Sequence, residues 1–309
     1  MSQSDGGSLS AGKQLQDTCL FSNKQIEIHA VGAAPGGEAY LLLASDFSLL
    51  YDSGFGFSAP GLVCNVERLL GGRSPDCLFL SHSHYDHASG SAWCKRRWPN
   101  LPVVAMAHAK RVFERPTAVA SIRDLNQRVA QERGLTFDDA DFLDTLAVSH
   151  ACSDGELLEL GSQRFEVVEA VGHTRCSAML WCEQQQLLLG SESLGVYLNQ
   201  DEVMPAYLVS YEGSLRAIER AQALNPKWIL LNHRHVAEGK DARRFLVNAG
   251  REARRAAQLV FDGSRAGKSR EVLTQELKRL YYTKCAQEIQ PEAAFDLNNR
   301  LMLDLLLKR

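Results

Sequence analysis

The six residues from His82 to His87 read His-Ser-His-Tyr-Asp-His and contain three of the nine histidines in this chain of 309 residues. They follow an apolar run, so the motif stands where a buried strand passes into a polar loop. In an extended segment, residues two apart point to the same side, which brings the imidazoles of His82 and His84 within reach of one metal ion. Asp86 and His87 lie just beyond, where the chain should turn into a helix, and they can reach a second ion. The motif therefore predicts a strand that ends in a two-metal centre.

The residue types in this motif indicate which metals it suits. A mixture of imidazole nitrogens and carboxylate oxygens is suited to zinc, and nearly as well to iron or manganese. The alternative is a solvated loop with incidental histidines, but packing alone gives no reason for this spacing. A cysteine zinc site is not expected, because the eight cysteines are scattered without a Cys-x-x-Cys pair, which is typical of free thiols. The predicted cofactor is a pair of divalent metal ions, with zinc favoured.

A two-metal centre needs more than four ligands, and three later strand ends carry residues of the right type. These are His173 after the apolar run 165–171, Ser191 and Glu192 after 187–190, and His233 and His235 after 229–231. His173 could supply a third imidazole to the first ion. A carboxylate after the second run could bridge the two ions, and one of the last two histidines could complete the set of ligands around the second ion.

The order of apolar patterns along the chain predicts the architecture. Short strands dominate the first part, a polar helical insert follows at about 117–144, and strands then resume. Beyond residue 239 the pattern is helical, with three apolar stripes. We predict a frayed tail over 1–20, a layered α/β domain over 21–239 and a C-terminal helical cap over 240–309 that packs on the same domain.

Composition narrows the classes of partner. The net charge of −3 is nearly balanced, without the basic surface typical of nucleic-acid-binding proteins, so no nucleic-acid partner is expected. Apolar runs are too short to cross a bilayer, so no membrane partner is expected. The first residues are polar and contain no apolar leader core, which predicts a cytoplasmic protein. A homodimer through the C-terminal helices is plausible, because three apolar stripes must be buried somewhere.

Taken together, the motifs resemble those of the metallo-β-lactamase-fold superfamily over about residues 40–239. The motifs that carry the resemblance, in the family's order, are YDSG at Tyr51, HSHYDH at His82, GHT at Gly172, GSES at Gly190 and LNHR at Leu231. The resemblance implies an αββα sandwich, in which two mixed sheets pack face to face with helices outside and metals at one edge. To this fold the chain adds the helical insert and the C-terminal helical extension.

The resemblance also implies a role for each candidate residue. The first metal would be held by His82, His84 and His173, and the second by Asp86, His87 and His233. Asp52 would orient the site from behind the ligands, as outer carboxylates commonly do, although a simple turn residue is a fair alternative.

Two motifs depart from the family pattern. The bridging residue is usually an aspartate after a glycine, whereas here Ser191 and Glu192 follow Gly190. Alignment on the next Leu-Gly pair makes Glu192 the bridging residue; if Ser191 is the equivalent instead, the second ion is weakly held or absent. The last motif keeps His233 but loses the proline and glycines around it, and His235 is the spare candidate.

The implied activity is metal-dependent hydrolysis by a hydroxide held between two metal ions, with Asp86 orienting this nucleophile as well as ligating. Within the superfamily, the layout and the stretches HSHYDH, VVEAVGH and SLGVY are similar to the branch that contains the thioesterase of quinolone-signal biosynthesis. The expected substrate is therefore a small-molecule thioester or ester. A lactonase or phosphodiesterase on the same site, or a degenerate member that binds a ligand or partner, remains open.

Overall fold

The computed structural model describes residues 18–137, 145–231 and 235–308. Its first sheet has seven strands that lie side by side in chain order. They are β1 (Cys19–Ser22), β2 (Glu27–Ala30), β3 (Tyr40–Leu43), β4 (Ser48–Tyr51), β5 (Cys77–Leu80), β6 (Val103–Met106) and β7 (His150–Cys152). The pairs from β1 to β4 are antiparallel and those from β4 to β7 are parallel, so the sheet is mixed.

The second sheet is built from the later strands. The strands from here on are β8 (Leu157–Leu160), β9 (Gln163–Glu169), β10 (Ala178–Cys182), β11 (Leu187–Leu189), β12 (Val196–Tyr197), β13 (Val203–Met204), β14 (Trp228–Leu231) and β15 (His235–Glu238). Six of them pair in the order β15-β14-β11-β10-β9-β8, while β12 and β13 form a separate hairpin. Only the β11–β14 pair of this sheet is parallel, so the second sheet is also mixed.

Helices make the crossovers that parallel strands require. They are α1 (Ala59–Leu70), α2 (Tyr85–Ala88), α3 (Ser91–Arg97), α4 (Ala107–Phe113), α5 (Pro116–Glu132), α6 (Tyr211–Leu224), α7 (Lys240–Arg265), α8 (Arg270–Tyr281), α9 (Lys284–Ile289) and α10 (Glu292–Leu307). The first five lie between strands of the first sheet, and α6 lies between β11 and β14. Among these helices, none is long and apolar enough to cross a membrane.

The two sheets pack face to face through aromatic side chains. The rings of Phe47 and Phe165, one from each half, lie 5.9 Å apart in an edge-to-face arrangement. The hydroxyl of Tyr40 donates to the carbonyl of Leu231 at 3.2 Å, which satisfies a buried polar group between the sheets. A second apolar cluster lies between the outer face of the second sheet and helices α6 to α8 and α10. The predicted αββα sandwich with a C-terminal helical extension is therefore confirmed.

The C-terminal extension differs from the prediction in its details. It contains four helices in the described residues, because Gln290 is extended before Pro291 and interrupts the helical pattern. The stripe on α7 is buried as predicted, from Phe245 to Val260. By contrast, Leu297 and Leu301 of α10 are 43% and 41% exposed. At the other end of the chain, β1 begins at residue 19, inside the segment predicted as a tail.

Candidate metal centre

Four side chains converge at one edge of the sandwich. His82 and His84 follow β5 of the first sheet, whereas His173 follows β9 and Glu192 follows β11 of the second. Each offers one ligand-type atom, and these four atoms lie within 4.8 Å of one another. The cluster therefore joins both sheets and contains the three imidazoles assigned to the first ion.

The distances within this cluster are those of groups that point at a common centre. Nε2 of His173 lies 2.6 Å from Oε2 of Glu192 and 3.0 Å from Nδ1 of His84. Nε2 of His82 lies 3.5 Å from the same carboxylate oxygen. The His82 ring is fully buried, and within the described residues its Nε2 has no hydrogen-bond partner. Such an atom costs about 1–3 kcal/mol when left unsatisfied, and a divalent cation would satisfy it. The residues present therefore fit a bound metal ion.

The protonation of His82 and His84 also suits metal binding. Burial lowers the pKa of His82, and the neighbouring histidines lower it further. Burial, together with His173, lowers the pKa of His84 to about 3. Both rings are thus neutral at physiological pH, and a neutral imidazole is the form that donates a lone pair to a metal.

Hydrogen bonds fix which nitrogen of each ring faces the centre. Nδ1 of His173 donates to the carbonyl of Ala206 at 2.7 Å, so Nε2 keeps its lone pair. The Ser81 hydroxyl donates to Asp52 at 2.8 Å and can accept from Nδ1 of His82 at 3.0 Å, which leaves Nε2 of His82 as the ligand atom. Partners of this kind orient metal ligands and hold the required tautomer.

Asp52 lies behind two of the predicted ligands. Its Oδ1 accepts from the backbone N–H of Ser81 at 2.7 Å, and its Oδ2 lies 2.9 Å from Nδ1 of His87. The side chain is buried, and the residue has φ +60, which is uncommon outside glycine. Pairing with β5 holds this conformation, because the Asp52 N–H donates to Phe79 at 2.8 Å. The contacts are those expected of an orienting carboxylate.

A second set of groups adjoins the cluster. Nε2 of His87 lies 3.6 Å from Oδ2 of Asp86 and 3.9 Å from Oε1 of Glu192. Burial by itself lowers the pKa of His87, but Asp86, Asp52 and Glu192 outweigh it and raise the pKa to about 10. Three carboxylates around one imidazole leave excess negative charge, which favours a bound cation.

The last predicted ligand of the second ion is His233, which lies outside the described residues. His235 is the first residue of β15 and pairs with Leu231. The assignment of either histidine to the second ion remains a prediction.

The two candidates for the bridging position lie in different environments. The Ser191 hydroxyl accepts from the backbone N–H of Ser193 at 3.3 Å and so begins the short 3₁₀ turn Glu192–Leu194. Glu192 instead points among the histidines, with Oε2 towards His173 and Oε1 towards His87. The geometry therefore favours Glu192 as the carboxylate between the two groups of ligands.

We expect Glu192→Gln to weaken metal binding by at least about tenfold and to lower metal content, because it removes the negative charge that faces both groups of histidines. Equilibrium dialysis with elemental analysis measures both quantities. Glu202→Gln is the control, since Glu202 lies in the turn between β12 and β13 and accepts from Thr283 at 3.0 Å. Equal metal content and affinity in the two variants would contradict a ligand role for Glu192.

The cluster forms the floor of a cavity of about 250 Å³. Its lining includes His84, Asp86, His173 and Glu192, together with side chains from α5 and α10. The sequence patterns predicted both helical segments but did not single out the residues of α5 and α10 that line the cavity. A signal was present, since α5 and α10 each carry two apolar residues four positions apart, Leu125 with Val129 and Leu297 with Leu301.

Asn126 fixes the position of α5 against the site, and sequence reasoning also missed it. Its Oδ1 accepts from the N–H of Gly56 at 2.9 Å, and its Nδ2 donates to the Ser89 hydroxyl at 2.8 Å. The first contact lies in the segment after Asp52 and the second follows α2, the helix that bears His87. The sequence signal was an asparagine on an otherwise apolar face of α5, where the structure shows it fully buried.

Comparison with known proteins agrees with this geometry. Residues 34–233 match the model of the metallo-beta-lactamase superfamily. A metallo-beta-lactamase family protein from Thermus thermophilus has a TM-score of 0.61 at 18% identity, covering 90% of this chain and 93% of that one. An archaeal superfamily protein from Sulfolobus tokodaii has a TM-score of 0.58 at 16% identity, covering 91% and 98%. A chemotaxis sensor, ODP, solved as a peroxy diiron species, has a TM-score of 0.54 at 14% identity, covering 75% and 93%.

At these identities the structural similarity establishes a common fold. The match to the family model shows, in addition, that the sequence is related to the family. That match covers well over half of the chain and includes all four residues of the cluster. Members of the family generally are hydrolases that use divalent metals, so the match and the His/Glu cluster together indicate a metal-dependent hydrolase. The chain belongs to the metallo-beta-lactamase superfamily.

Proposed function

We propose that this protein is a metal-dependent hydrolase of thioesters or esters. The observation that carries the proposal is the position of the His/Glu cluster at the floor of a cavity whose walls are mainly apolar. A phosphodiester would favour a strongly cationic lining, whereas the described lining residues include only two arginines, Arg128 and Arg133. Arg133 already donates to the carbonyl of Pro35 at 2.8 Å and lies over the ring of Phe55. The resemblance to the thioesterase branch supports the same substrate class.

The ligands divide into two groups that share one carboxylate. His82, His84 and His173 would hold one ion, Asp86 and His87 would hold the second with His233, and Glu192 would contact both. When bound, the ions supply Lewis acidity, which polarises a substrate carbonyl and brings the pKa of water close to neutrality.

Two further residues line the cavity beside the cluster and have roles in the proposed reaction. Asp86 is partly exposed to the cavity, so its carboxylate can orient the attacking water and accept its proton. Burial, with Asp86 nearby, raises the pKa of Tyr85, and its phenol therefore keeps its proton at neutral pH. That hydroxyl can donate a hydrogen bond to the carbonyl oxygen of the substrate.

Metal removal and a substrate panel test the proposal. Untagged protein is analysed for zinc, iron and manganese, and iron is included because the fold is shared with a diiron sensor. The protein is then assayed on acyl thioesters, aryl esters, lactones and phosphodiesters, before and after chelation. We expect thioester or ester turnover that chelation abolishes and one metal restores. Metal-loaded protein without turnover of any ester would refute the proposal, and a preference for lactones or phosphodiesters would replace its substrate class.

Thermal unfolding provides a readout that does not depend on the substrate. A ligand at a concentration of about 1,000 times its Kd stabilises the native state by about 4 kcal/mol, provided that it does not bind the unfolded chain. Chelation should therefore lower Tm by several degrees, and re-addition of the metal should restore it. An unchanged Tm would argue against metal binding at this cluster.

A further inference from the structure

Two exposed leucines on α10 need an explanation. Leu297 and Leu301 are 43% and 41% exposed, and they lie one helical turn apart on the side of α10 away from the buried Asn299 and Leu303. Both line the cavity above the His/Glu cluster. Adjacent apolar side chains left open to a cavity are typical of a binding site for an apolar group.

A second wall of this cavity, on α5, has the same construction. Leu125 and Val129 of α5 also lie one turn apart, both are partly exposed, and both line this cavity. Asn126 lies between these two residues in sequence, and its hydrogen bonds fix α5 against the segments around the metal centre. Each of the two helices thus contributes a pair of apolar side chains to the same cavity.

The volume limits what this space can hold. An apolar cavity of about 150 Å³ accommodates benzene, which has six carbons, so a cavity of about 250 Å³ accommodates about ten carbons. A nucleotide-sized carrier exceeds this volume and would lie outside. The floor carries the predicted metal ligands, so the reacting carbonyl belongs there and the apolar chain belongs between the helices.

We infer that the space between α5 and α10 is an acyl-binding site, which selects substrates with an apolar acyl group of up to about ten carbons. This inference rests on the proposed hydrolysis of thioesters or esters. Val129 and Leu301 set the acyl length, because they belong to different helices that line this cavity and both side chains are partly exposed. Their replacement by larger residues shortens the space, and their replacement by alanine lengthens it.

The first test is an acyl-length series of aryl thioesters from acetyl to palmitoyl, assayed on metal-loaded protein. We expect kcat/KM to rise roughly fourfold for each added methylene, because each one is buried in the cavity. The rise should continue up to about ten carbons, and kcat/KM should fall for longer chains that exceed the cavity. Val129→Trp and Leu301→Trp should lower kcat/KM for decanoyl thioester at least about tenfold more than kcat/KM for acetyl thioester. The alanine variants should shift the optimum to longer chains.

Val247→Trp is the matched control, since Val247 is 60% exposed on α7 and does not line the cavity. The control should retain the wild-type length profile and the wild-type Tm. The opposite shifts expected from the alanine variants keep the test informative if a tryptophan variant fails to fold. A length profile that is flat in the wild type, or unchanged in both pairs of variants, would overturn the inference and leave the proposed hydrolysis intact.

Direct binding separates the cavity from the reaction. Calorimetry with decanoate and acetate on metal-loaded protein should show tighter binding of decanoate, and Val129→Trp and Leu301→Trp should remove this preference. That result supports the acyl site even if no ester is hydrolysed, in which case the proposed function alone fails. Equal affinity for the two carboxylates in wild-type protein would overturn the acyl site whatever the activity.

Discussion

Replacement of His173 by alanine is expected to lower hydrolytic turnover by on the order of 10³-fold, which corresponds to about 4 kcal/mol of transition-state stabilisation. The His173 ring is buried in the turn after β9, and its Nε2 faces both Glu192 and His84. Because Nδ1 is committed to the carbonyl of Ala206, the ring is held with Nε2 towards the centre of the cluster. Steady-state kinetics on metal-loaded protein, with metal content from elemental analysis, measures the effect.

The control for this substitution is His150→Ala. His150 lies on β7, is exposed and pairs with Glu156, away from the cluster. It should retain full metal content and turnover. Full activity in His173→Ala, or an equal loss in the two variants, would contradict the assignment of His173 to the metal centre. Loss of activity with unchanged metal content would move His173 from a ligand to a substrate-contacting role.

Part of this centre follows from periodicity alone. Residues two apart on an extended segment share a side, and the His82 and His84 rings do lie together, with centroids 4.7 Å apart. The turn into α2 after His84 was also predictable, because a polar loop followed a buried strand. These features are local, and local backbone geometry decides them.

Other features depend on contacts that are distant in sequence. A shift of one residue moves a side chain to the other face of an extended segment, so the spacing could not decide between Ser191 and Glu192. The contacts of the Glu192 carboxylate with His173 and His87, which are distant in sequence, favour Glu192. Likewise, the apolar stripe on α10 predicted burial, but how this helix packs leaves Leu297 and Leu301 facing a cavity.

Because both sheets contribute residues to the site, we expect metal binding to be coupled to the packing of the two sheets. The first sheet contributes the residues after β4 and β5, and the second contributes the turns after β9 and β11. An ion held by ligands from both sheets stabilises their relative position, since binding to the native state alone adds to the free energy of unfolding. Residues that orient the ligands should therefore affect both affinity and stability.

Asp52→Asn tests this coupling with a nearly isosteric change. Asp52 accepts hydrogen bonds from the Ser81 N–H, the Ser81 hydroxyl and Nδ1 of His87, and an asparagine has only one oxygen with which to accept them. At least one donor then faces the amide NH₂ group, which should cost about 1–3 kcal/mol of unfolding free energy. Because both His82 and His87 lose their orientation, metal affinity and turnover should fall by about 10- to 100-fold. Denaturant unfolding, metal titration and kinetics measure the three effects.

The chain contains a closely matched control for this change. Asp76 accepts from the N–H and the hydroxyl of Ser48 at 2.7 and 2.8 Å, the same two donor groups that Asp52 accepts from Ser81, but it accepts both on Oδ2. It stands before β5, at the end of the strand opposite to His82. Because one amide oxygen can accept from both donors, Asp76→Asn should cost less stability than Asp52→Asn and leave metal affinity unchanged. If both variants lose stability and neither loses metal affinity, Asp52 is only a structural residue. If Asp52→Asn loses metal affinity and Asp76→Asn does not, the Asp52 carboxylate acts through the ligands it holds.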